Sequence, residues 1–507
     1  MDERQEQEVL GSVRAGRPRV ARSVGPRAVA LTIGALVCCL LVVSWGYWRL
    51  SQSQRPVSLE IDPGQPGLAI ARDFMGLSME WGEAKALMGT PSTGTNPIYR
   101  LLLGNLYEYG GSGVVRIGGA SADLMEYNGE PDLNEVSAFA QLHKDTGTVF
   151  YLSTNLGSSD ANLPARQAQS FVKNMPNGAL RAIELGNEPD QYGFNGTRPR
   201  SYSFADYQRE FDTRKSGLEH VLPADVKLMG PSWAGTESLQ HLPEFLKAEH
   251  GALTSVSQHW YAGVACGGRK NPPDFLLEPT AASSGARAVA SSVTLAHDQK
   301  LPFRIGEMNS VACNGESGVT DTFASALWMI DALFEFANVG VDGVNVHMAT
   351  DDVYGPFLVH VDTGRIPYTY SVSVIRPEYY GMVFFQEAAP AGSRLIRTKA
   401  SLPRNLKCWA TIDKHHTVRV ALVNKDKQSA RTVTVKLQGH GVAAIERLAA
   451  ASYRDKTGIT FAGKTFDNSS DGKAHGTLNV ERAMPKDGEY EIQVAPTSAV
   501  LLTLERL

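Results

Sequence analysis

Two glutamates stand where their chemistry could be used. Glu188 lies in Glu184-Leu-Gly-Asn-Glu-Pro-Asp190, and Glu307 lies in Phe303-Arg-Ile-Gly-Glu-Met-Asn309. In both, a β-type run ends in glycine and a carboxylate follows. Proline cannot continue a central strand, so Pro189 places Glu188 on a rim rather than in a ladder. A lone glutamate is most often a surface charge; two in matching strand-end contexts call for another explanation. Cleavage of a glycosidic bond requires such a pair. One carboxylic acid protonates the leaving oxygen, and the other carboxylate attacks the anomeric carbon or activates water. A separation of about 5–5.5 Å accompanies retention of configuration, and one of about 6.5–9.5 Å accompanies inversion. The acid must keep its proton near neutral pH, which a neighbouring negative charge favours.

The elements that would position this pair are short apolar runs alternating with helical stretches. The runs begin near Phe74-Met-Gly-Leu-Ser and continue with Val114-Val-Arg-Ile-Gly, Thr148-Val-Phe-Tyr-Leu and Ala182-Ile-Glu-Leu-Gly. Val226-Lys-Leu-Met-Gly, Val256-Ser-Gln-His-Trp-Tyr, Phe303-Arg-Ile-Gly-Glu and Val344-Asn-Val-His complete the series. Between them Phe323, Leu327, Ile330 and Phe334 recur at helical spacing. Strand–helix alternation implies a parallel sheet, and eight such units imply an α/β fold of the (β/α)8 TIM-barrel type over residues 73–390. Polar residues collect at the C-terminal ends of the runs, where such barrels carry their active sites. Glu188 and Glu307 then follow the fourth and seventh strands. Beyond about residue 390 the pattern changes to period two, as in Val418, Val420 and Leu422, then Val433, Val435 and Leu437. Tyr490, Ile492 and Val494 alternate likewise after an Asp487-Gly488 turn. Residues 391–507 are therefore expected to form an antiparallel β-sandwich, joined by residues 57–72, which precede the first barrel strand.

Leu185-Gly-Asn-Glu-Pro and Ile305-Gly-Glu-Met-Asn-Ser resemble the acid/base and nucleophile motifs of the clan A retaining glycosidases. Arg116-Ile-Gly-Gly-Ala-Ser-Ala-Asp123 and Gln258-His-Trp-Tyr261 narrow the resemblance to glycoside hydrolase family 79, the β-glucuronidase and heparanase family. It spans roughly residues 57–507 and implies a barrel with a β-sandwich. It also implies Glu188 as general acid/base, Glu307 as nucleophile and Asn187 as partner of the sugar 2-hydroxyl. His259 and Tyr261 would orient the nucleophile or line the pocket, although a histidine at such a place is as readily a satisfied core residue. Tyr354 matches a family tyrosine near the uronate carboxylate. Asp123 and Glu80, on the rim after the second and first strands, are candidates for sugar hydroxyls. Arg116 lies inside its run, where a buried structural arginine is the commoner reading. Family members often carry a tyrosine just after the nucleophile that helps hold the uronate; here that stretch reads Ser310-Val-Ala-Cys-Asn-Gly315, leaving backbone amides near Gly315 to substitute.

Within this resemblance an exo-acting β-glucuronidase is favoured over a heparanase-like endo-enzyme. The latter needs a cationic cleft, and only Arg269-Lys270 lies near the expected rim. The stretch from about Gly76 to Val114 reads as one helix, residues 98–109, with little linker to excise. Another clan A glycosidase acting on a neutral sugar, or a catalytically silent carbohydrate-binding ectodomain, remain alternatives of different class. Paired carboxylates beside Asn187 argue against pure binding. No metal motif, P-loop or nucleotide fingerprint is present, so no metal or other cofactor is expected.

The 507 residues carry a formal net charge of −4, with 43% hydrophobic and 20% charged residues. This composition fits a globular chain of more than one domain and not a nucleic-acid binder, which needs a basic face. Residues 28–48 lack any charged side chain and end in Trp45, Tyr47 and Trp48, as expected for a membrane-spanning helix with an aromatic belt. Six arginines precede it: Arg4, Arg14, Arg17, Arg19, Arg22 and Arg27. The positive-inside rule then makes residues 1–27 a cytoplasmic tail, with the catalytic part extracellular or lumenal after a 49–56 linker. A cleaved signal segment is the alternative. Asn195-Gly-Thr and Asn468-Ser-Ser are glycosylation sequons that fit this route. Of five cysteines, Cys38 and Cys39 fall in the expected anchor. Cys266 and Cys313 either pair or remain thiols, and Cys408 would be left single.

Overall fold

A computed structural model describes residues 57–123, 129–350 and 352–506. The expected tail, membrane helix and linker lie outside the described residues. Among those described, no helix is long and apolar enough to cross a membrane.

Eight parallel strands close into a barrel. In chain order they are Met75–Glu80, Val114–Gly118, Val149–Thr154, Leu180–Leu185, Lys227–Trp233, Leu253–Val264, Phe303–Ala312 and Gly343–Met348. The eighth pairs with the first, Val344 opposite Met75, which closes the ring. Every residue of the second and eighth strands is buried. This is the signature of parallel strands covered on both faces, and it is why the runs read as near-continuous apolar segments. All eight fall where the sequence places them. At the N-terminal end of the barrel Arg304 fills the interior, donating to Asn345 Oδ1 at 2.6 Å and to the Asp73 carbonyl at 2.9 Å.

The helix Phe323–Asn338 carries the expected apolar positions but is buried on nearly every side. Such a helix belongs between two layers. One side meets barrel elements, where Trp328 Nε1 donates to the Ala281 carbonyl at 2.7 Å. The other meets the C-terminal sheet, where Phe334 stacks on Trp409 with ring centroids 5.5 Å apart. The buried Lys425–Asp331 ion pair ties the sheet to this same helix.

Between the first two barrel strands the single expected helix is two: Trp81–Met88 and Pro97–Asn105. The first is short and carries Gly82 in its first turn, but its Trp81, Ala84, Leu87 and Met88 are all buried. The second opens on Asn96, whose Oδ1 accepts from the amides of Ile98 and Tyr99, with Pro97 at its first position. A hairpin, Phe357–Asp362 with Thr369–Ile375, follows the eighth strand.

The C-terminal domain is one hydrogen-bonded series of ten strands. Val57–Ala69 joins it as expected, antiparallel to Arg394–Lys399 on one side and parallel to Arg431–Lys436 on the other. Strands distant in this order share one core: Leu59, Val420, Leu422, Val435, Ile492 and Leu502 are members of a single buried cluster. The sheet thus folds over its own apolar face, giving the two-layered packing of a sandwich without a break between layers. Alternate residues Ala421, Val423 and Leu501 belong instead to the barrel's cluster, so the period-two pattern serves two interfaces.

Candidate active site

The C-terminal ends of the barrel strands converge on one guanidinium. Arg116 of the second strand is fully buried. Its Nε donates to Glu184 Oε2 at 2.7 Å, Nη1 to Glu307 Oε2 at 2.7 Å and to Ser78 Oγ at 3.0 Å, and Nη2 to Asn187 Oδ1 at 2.7 Å. Glu184 also accepts the hydroxyls of Ser153 and Ser232. Tyr261 Oη donates to Glu307 Oε1 at 2.8 Å, so each Glu307 oxygen has its own anchor. His347 Nδ1 lies 3.0 Å from Ser78 Oγ and 3.7 Å from Glu307 Oε2. A cation buried between two carboxylates is tolerated because its donors are filled; removing one partner of a buried pair costs about 3–5 kcal/mol.

Local backbone geometry sets the two glutamates. The seventh strand slips in register between Ile305 and Glu307 against the sixth. A bulge of this kind re-aims the side chain that follows it. Glu188 adopts a left-handed conformation, φ 49° and ψ 51°, and its amide donates to the Ser232 carbonyl at 3.0 Å. Gly186 before it has φ 81°, and a Cβ there would lie 2.6 Å from Leu156 Cβ. The chain leaves the fourth strand through this turn. Asp190 then accepts from the amides of Ala234 and Gly235 and the hydroxyl of Ser238, each at 2.9 Å, binding the loop after the fifth strand to the one carrying Glu188.

The two carboxyls are driven apart in acidity. Burial pushes Glu188 up, and the charges of Glu307 and Asp190 add to this against the opposing His259. Burial would also raise Glu307, but His347, His259, Arg116 and the Tyr261 hydroxyl outweigh it and hold its carboxyl well below the usual range. His259 is raised to about 9: burial opposes its charge, and the carboxylates of Glu307, Glu184 and Glu188 prevail. Glu188 is thus biased toward keeping its proton and Glu307 toward releasing it, the direction that the division of labour in glycoside cleavage requires. One oxygen or nitrogen each from Glu188, His259 and Glu307 lie within 4.8 Å of one another. That spacing would also suit a cation, but Arg116 already occupies the charge-balancing position on Glu307.

A cavity of about 650 Å³ opens over the pair, within the range of small-molecule sites. Asn187, Glu188, Tyr261, Glu307, Tyr354 and Glu80 line it. Asn187 gives its Oδ1 to Arg116, leaving Nδ2 to donate. The Tyr261 and Tyr354 rings lie 6.0 Å apart. Glu80 is oriented by the amides of Ala120 and Ser121 at 3.1 and 2.9 Å. Two expected residues sit elsewhere. His259 is fully buried beneath the cavity, with Nδ1 3.0 Å from Glu188 and 3.9 Å from Glu307; its direct partner is Glu188 and not the expected nucleophile. Asp123 is 9% exposed. Its Oδ1 accepts from the amides of Leu156 and Gly157, and its Oδ2 from the Asn187 amide and the Tyr192 hydroxyl. With both oxygens engaged, Asp123 braces the Asn187 turn and does not face a sugar hydroxyl.

Cys266 and Cys313 are disulfide-bonded, with Cα atoms 5.4 Å apart, inside the usual range. Both line the cavity, joining the loops after the sixth and seventh strands. Cys313, Asn314 and Gly315 all have positive φ, and Gly315 packs against Tyr354 so closely that a Cβ would lie 3.2 Å from its ring. Cys408 is free and buried. Asn195 and Asn468 are exposed. Glu184, Ser78, Ser232 and His347 belong to the site but were not singled out from the sequence. The available signal was position: each lies at the C-terminal end of a barrel strand.

Residues 408–501 match the glycosyl hydrolase family 79 C-terminal beta domain. A beta-glucuronidase of Aspergillus niger is 25% identical over 522 aligned positions, covering 90% of this chain and 95% of that protein. One of Neurospora crassa is 26% identical, covering 59% and 61%. Among solved structures, a 4-O-alpha-L-rhamnosyl-beta-D-glucuronidase from Fusarium oxysporum superposes with a TM-score of 0.68 at 20% identity, covering 88% of this chain and all of that one. A family 51 arabinofuranosidase from Xanthomonas axonopodis has a TM-score of 0.67 at 14% identity, over 89% of this chain and all of its own. The fold is thus shared across several glycosidase families, while residues 408–501 match family 79 and both relatives are beta-glucuronidases. Through this domain and these relatives the chain resembles glycoside hydrolase family 79.

Proposed function

We propose that this protein is a retaining, exo-acting β-glucuronidase. The observation that carries the reading is the spacing of Glu188 and Glu307, with carboxylate oxygens within 4.8 Å and acidities shifted in opposite directions. That spacing is closer to the range for direct attack than to the wider one that accommodates an intervening water. Glu188 gives its proton to the glycosidic oxygen as the bond to C1 breaks. Glu307 forms an ester at C1 on the opposite face, and the aglycone leaves. Glu188, now a carboxylate beside His259, takes a proton from water; the water oxygen attacks C1, the ester breaks and glucuronic acid departs with its configuration retained. Asn187 Nδ2 faces the 2-hydroxyl. Tyr354 and backbone amides near Gly315 would hold the uronate carboxylate, a reading supported by Tyr354, Cys313 and Asn314 lining the cavity beside Glu307. Glucuronidase activity of relatives matched along most of their length supports the substrate class. Arg269 and Lys270, the basic pair nearest the rim, are exposed outside the cavity lining, which favours exo over heparanase-like action. Residues 28–48 would anchor the enzyme with its catalytic part outside the cytoplasm, a placement the Cys266–Cys313 bond suits.

The test is hydrolysis of an aryl β-D-glucuronide by the full-length protein and its Glu307→Gln variant, with an aryl β-glucoside and an α-L-arabinofuranoside in parallel. Release from the glucuronide alone, lost in the variant, is expected. Release from a neutral glycoside instead would overturn the uronate reading and keep the two-carboxylate chemistry. No release from any substrate would overturn exo-hydrolysis.

A further inference from the structure

We propose that Glu237 selects the leaving group, admitting neutral or cationic aglycones and disfavouring anionic ones such as sulfated sugars. The inference rests on the glucuronidase reading and adds the class of the second half of the substrate.

The acid that protonates the glycosidic oxygen must touch the leaving group, so the leaving group departs over the loops flanking Glu188. These are the turn carrying Gln191 and the loop Ala234-Gly-Thr-Glu237, all lining the cavity. The second loop is fixed in place: Asp190, two residues after Glu188, holds the Ala234 and Gly235 amides and the Ser238 hydroxyl, each at 2.9 Å. The wall that carries Glu237 is therefore anchored to the strand end that carries the acid.

Charge on this cavity is one-sided. Among the described residues its lining includes Glu80, Glu83, Glu188, Glu237 and Glu307 but no lysine or arginine. Four of the five carboxylates have partners on the protein. Glu80 takes the Ala120 and Ser121 amides, Glu83 the Thr350 amide and hydroxyl, Glu188 the His259 ring, and Glu307 Arg116 and Tyr261. Glu237 is exposed and has no hydrogen-bond or ion-pair partner among the described residues. Its charge is presented to whatever occupies the leaving-group side. The basic pair that might have offset it does not: Lys270 lies 3.5 Å from Glu316, and Arg269 is exposed outside the lining. An anionic group roughly 6–8 Å from Glu237 in a solvated cleft is disfavoured roughly three- to tenfold, and replacing the carboxylate by a cation roughly squares that factor.

The experiment measures kcat/KM of the full-length protein on two aryl β-D-glucuronides, one with an uncharged coumarin aglycone and one with a naphthol sulfonate aglycone. Wild type, Glu237→Gln and Glu237→Lys are compared at low and at physiological ionic strength. Intrinsic leaving-group differences cancel because the same pair is used throughout. The sulfonate-to-neutral ratio is expected to rise roughly three- to tenfold in Glu237→Gln and further in Glu237→Lys, with the differences shrinking as salt screens them. A ratio constant across the three proteins, with the neutral glucuronide hydrolysed, overturns the role of Glu237 and leaves the glucuronidase reading intact. Failure of wild type on the neutral glucuronide overturns both.

Discussion

Replacing Tyr261 by phenylalanine tests whether the nucleophile is positioned or merely ionised. Tyr261 Oη donates at 2.8 Å to Glu307 Oε1, while Arg116 holds Oε2 at 2.7 Å. Two anchors on two oxygens fix the carboxylate plane; with one gone, Glu307 can rotate about the other. A hydrogen bond to an ionised group contributes about 1.5–3 kcal/mol. At about 1.4 kcal/mol per decade, loss of that positioning lowers kcat/KM by roughly 10- to 100-fold. The bond also helps hold the Glu307 carboxyl down. Its loss raises the Glu307 pKa, and the acidic limb of the kcat/KM profile, where Glu307 must be ionised, moves to higher pH. These two effects oppose each other at neutral pH, because a more basic carboxylate is intrinsically the better nucleophile. Pre-steady-state release of an aryl leaving group, measured from pH 3 to 8 with far-ultraviolet dichroism as the fold control, separates them. A Tyr261→Phe enzyme as fast as wild type at pH 7, whatever its acidic limb, would refute the positioning argument.

Three further outcomes follow from packing and charge. The double variant Cys266→Ser/Cys313→Ser opens a loop closed across 47 residues, worth about 4 kcal/mol by chain entropy; a lower Tm than wild type is expected, and equal Tm values would contradict it. Glu135 is held by burial at about 8, above the unfolded value of about 4.3. The folded state thus keeps a proton that the unfolded chain releases, and stability is lost as pH rises between these values. Glu135→Gln should raise Tm by an amount that grows from pH 4 to pH 8, and a pH-independent difference would contradict this. Asp331→Ala strands the buried Lys425 and should cost about 3–5 kcal/mol. Pairing Asp331→Leu with Lys425→Met should recover much of it in chemical denaturation, and an unchanged single variant would show the pair to be solvated.

The barrel was legible because its strands are largely buried on both faces and carry glycine or polar residues at or near their C-terminal ends, a pattern set by local chemistry. The glutamate pair was legible for the same reason, since Gly186 and Gly306 mark the turn and the bulge that present it. What lay beyond the sequence is tertiary. Arg116 reads as a structural arginine because a charge within an apolar run usually is one; only closure of the barrel brings it against Glu307, Glu184 and Asn187 at once. Asp123 looks like a rim ligand until the Asn187 amide and Tyr192 are seen to consume its oxygens. The helix Trp81–Met88 is too short for its periodicity to stand out. Period-two runs specify strands, but not that Val57–Ala69 would stitch two layers into one continuous sheet.

The central claim is that Glu307 attacks the anomeric carbon of a β-glucuronide. Incubation with 2-deoxy-2-fluoro-β-D-glucuronosyl fluoride, which slows breakdown of a glycosyl ester, followed by peptide mass spectrometry, tests it directly. The account predicts time-dependent inactivation with one fluoroglucuronosyl group on Glu307. An adduct on another carboxylate, or continued turnover of the fluoride to the inverted product with no adduct, would contradict it.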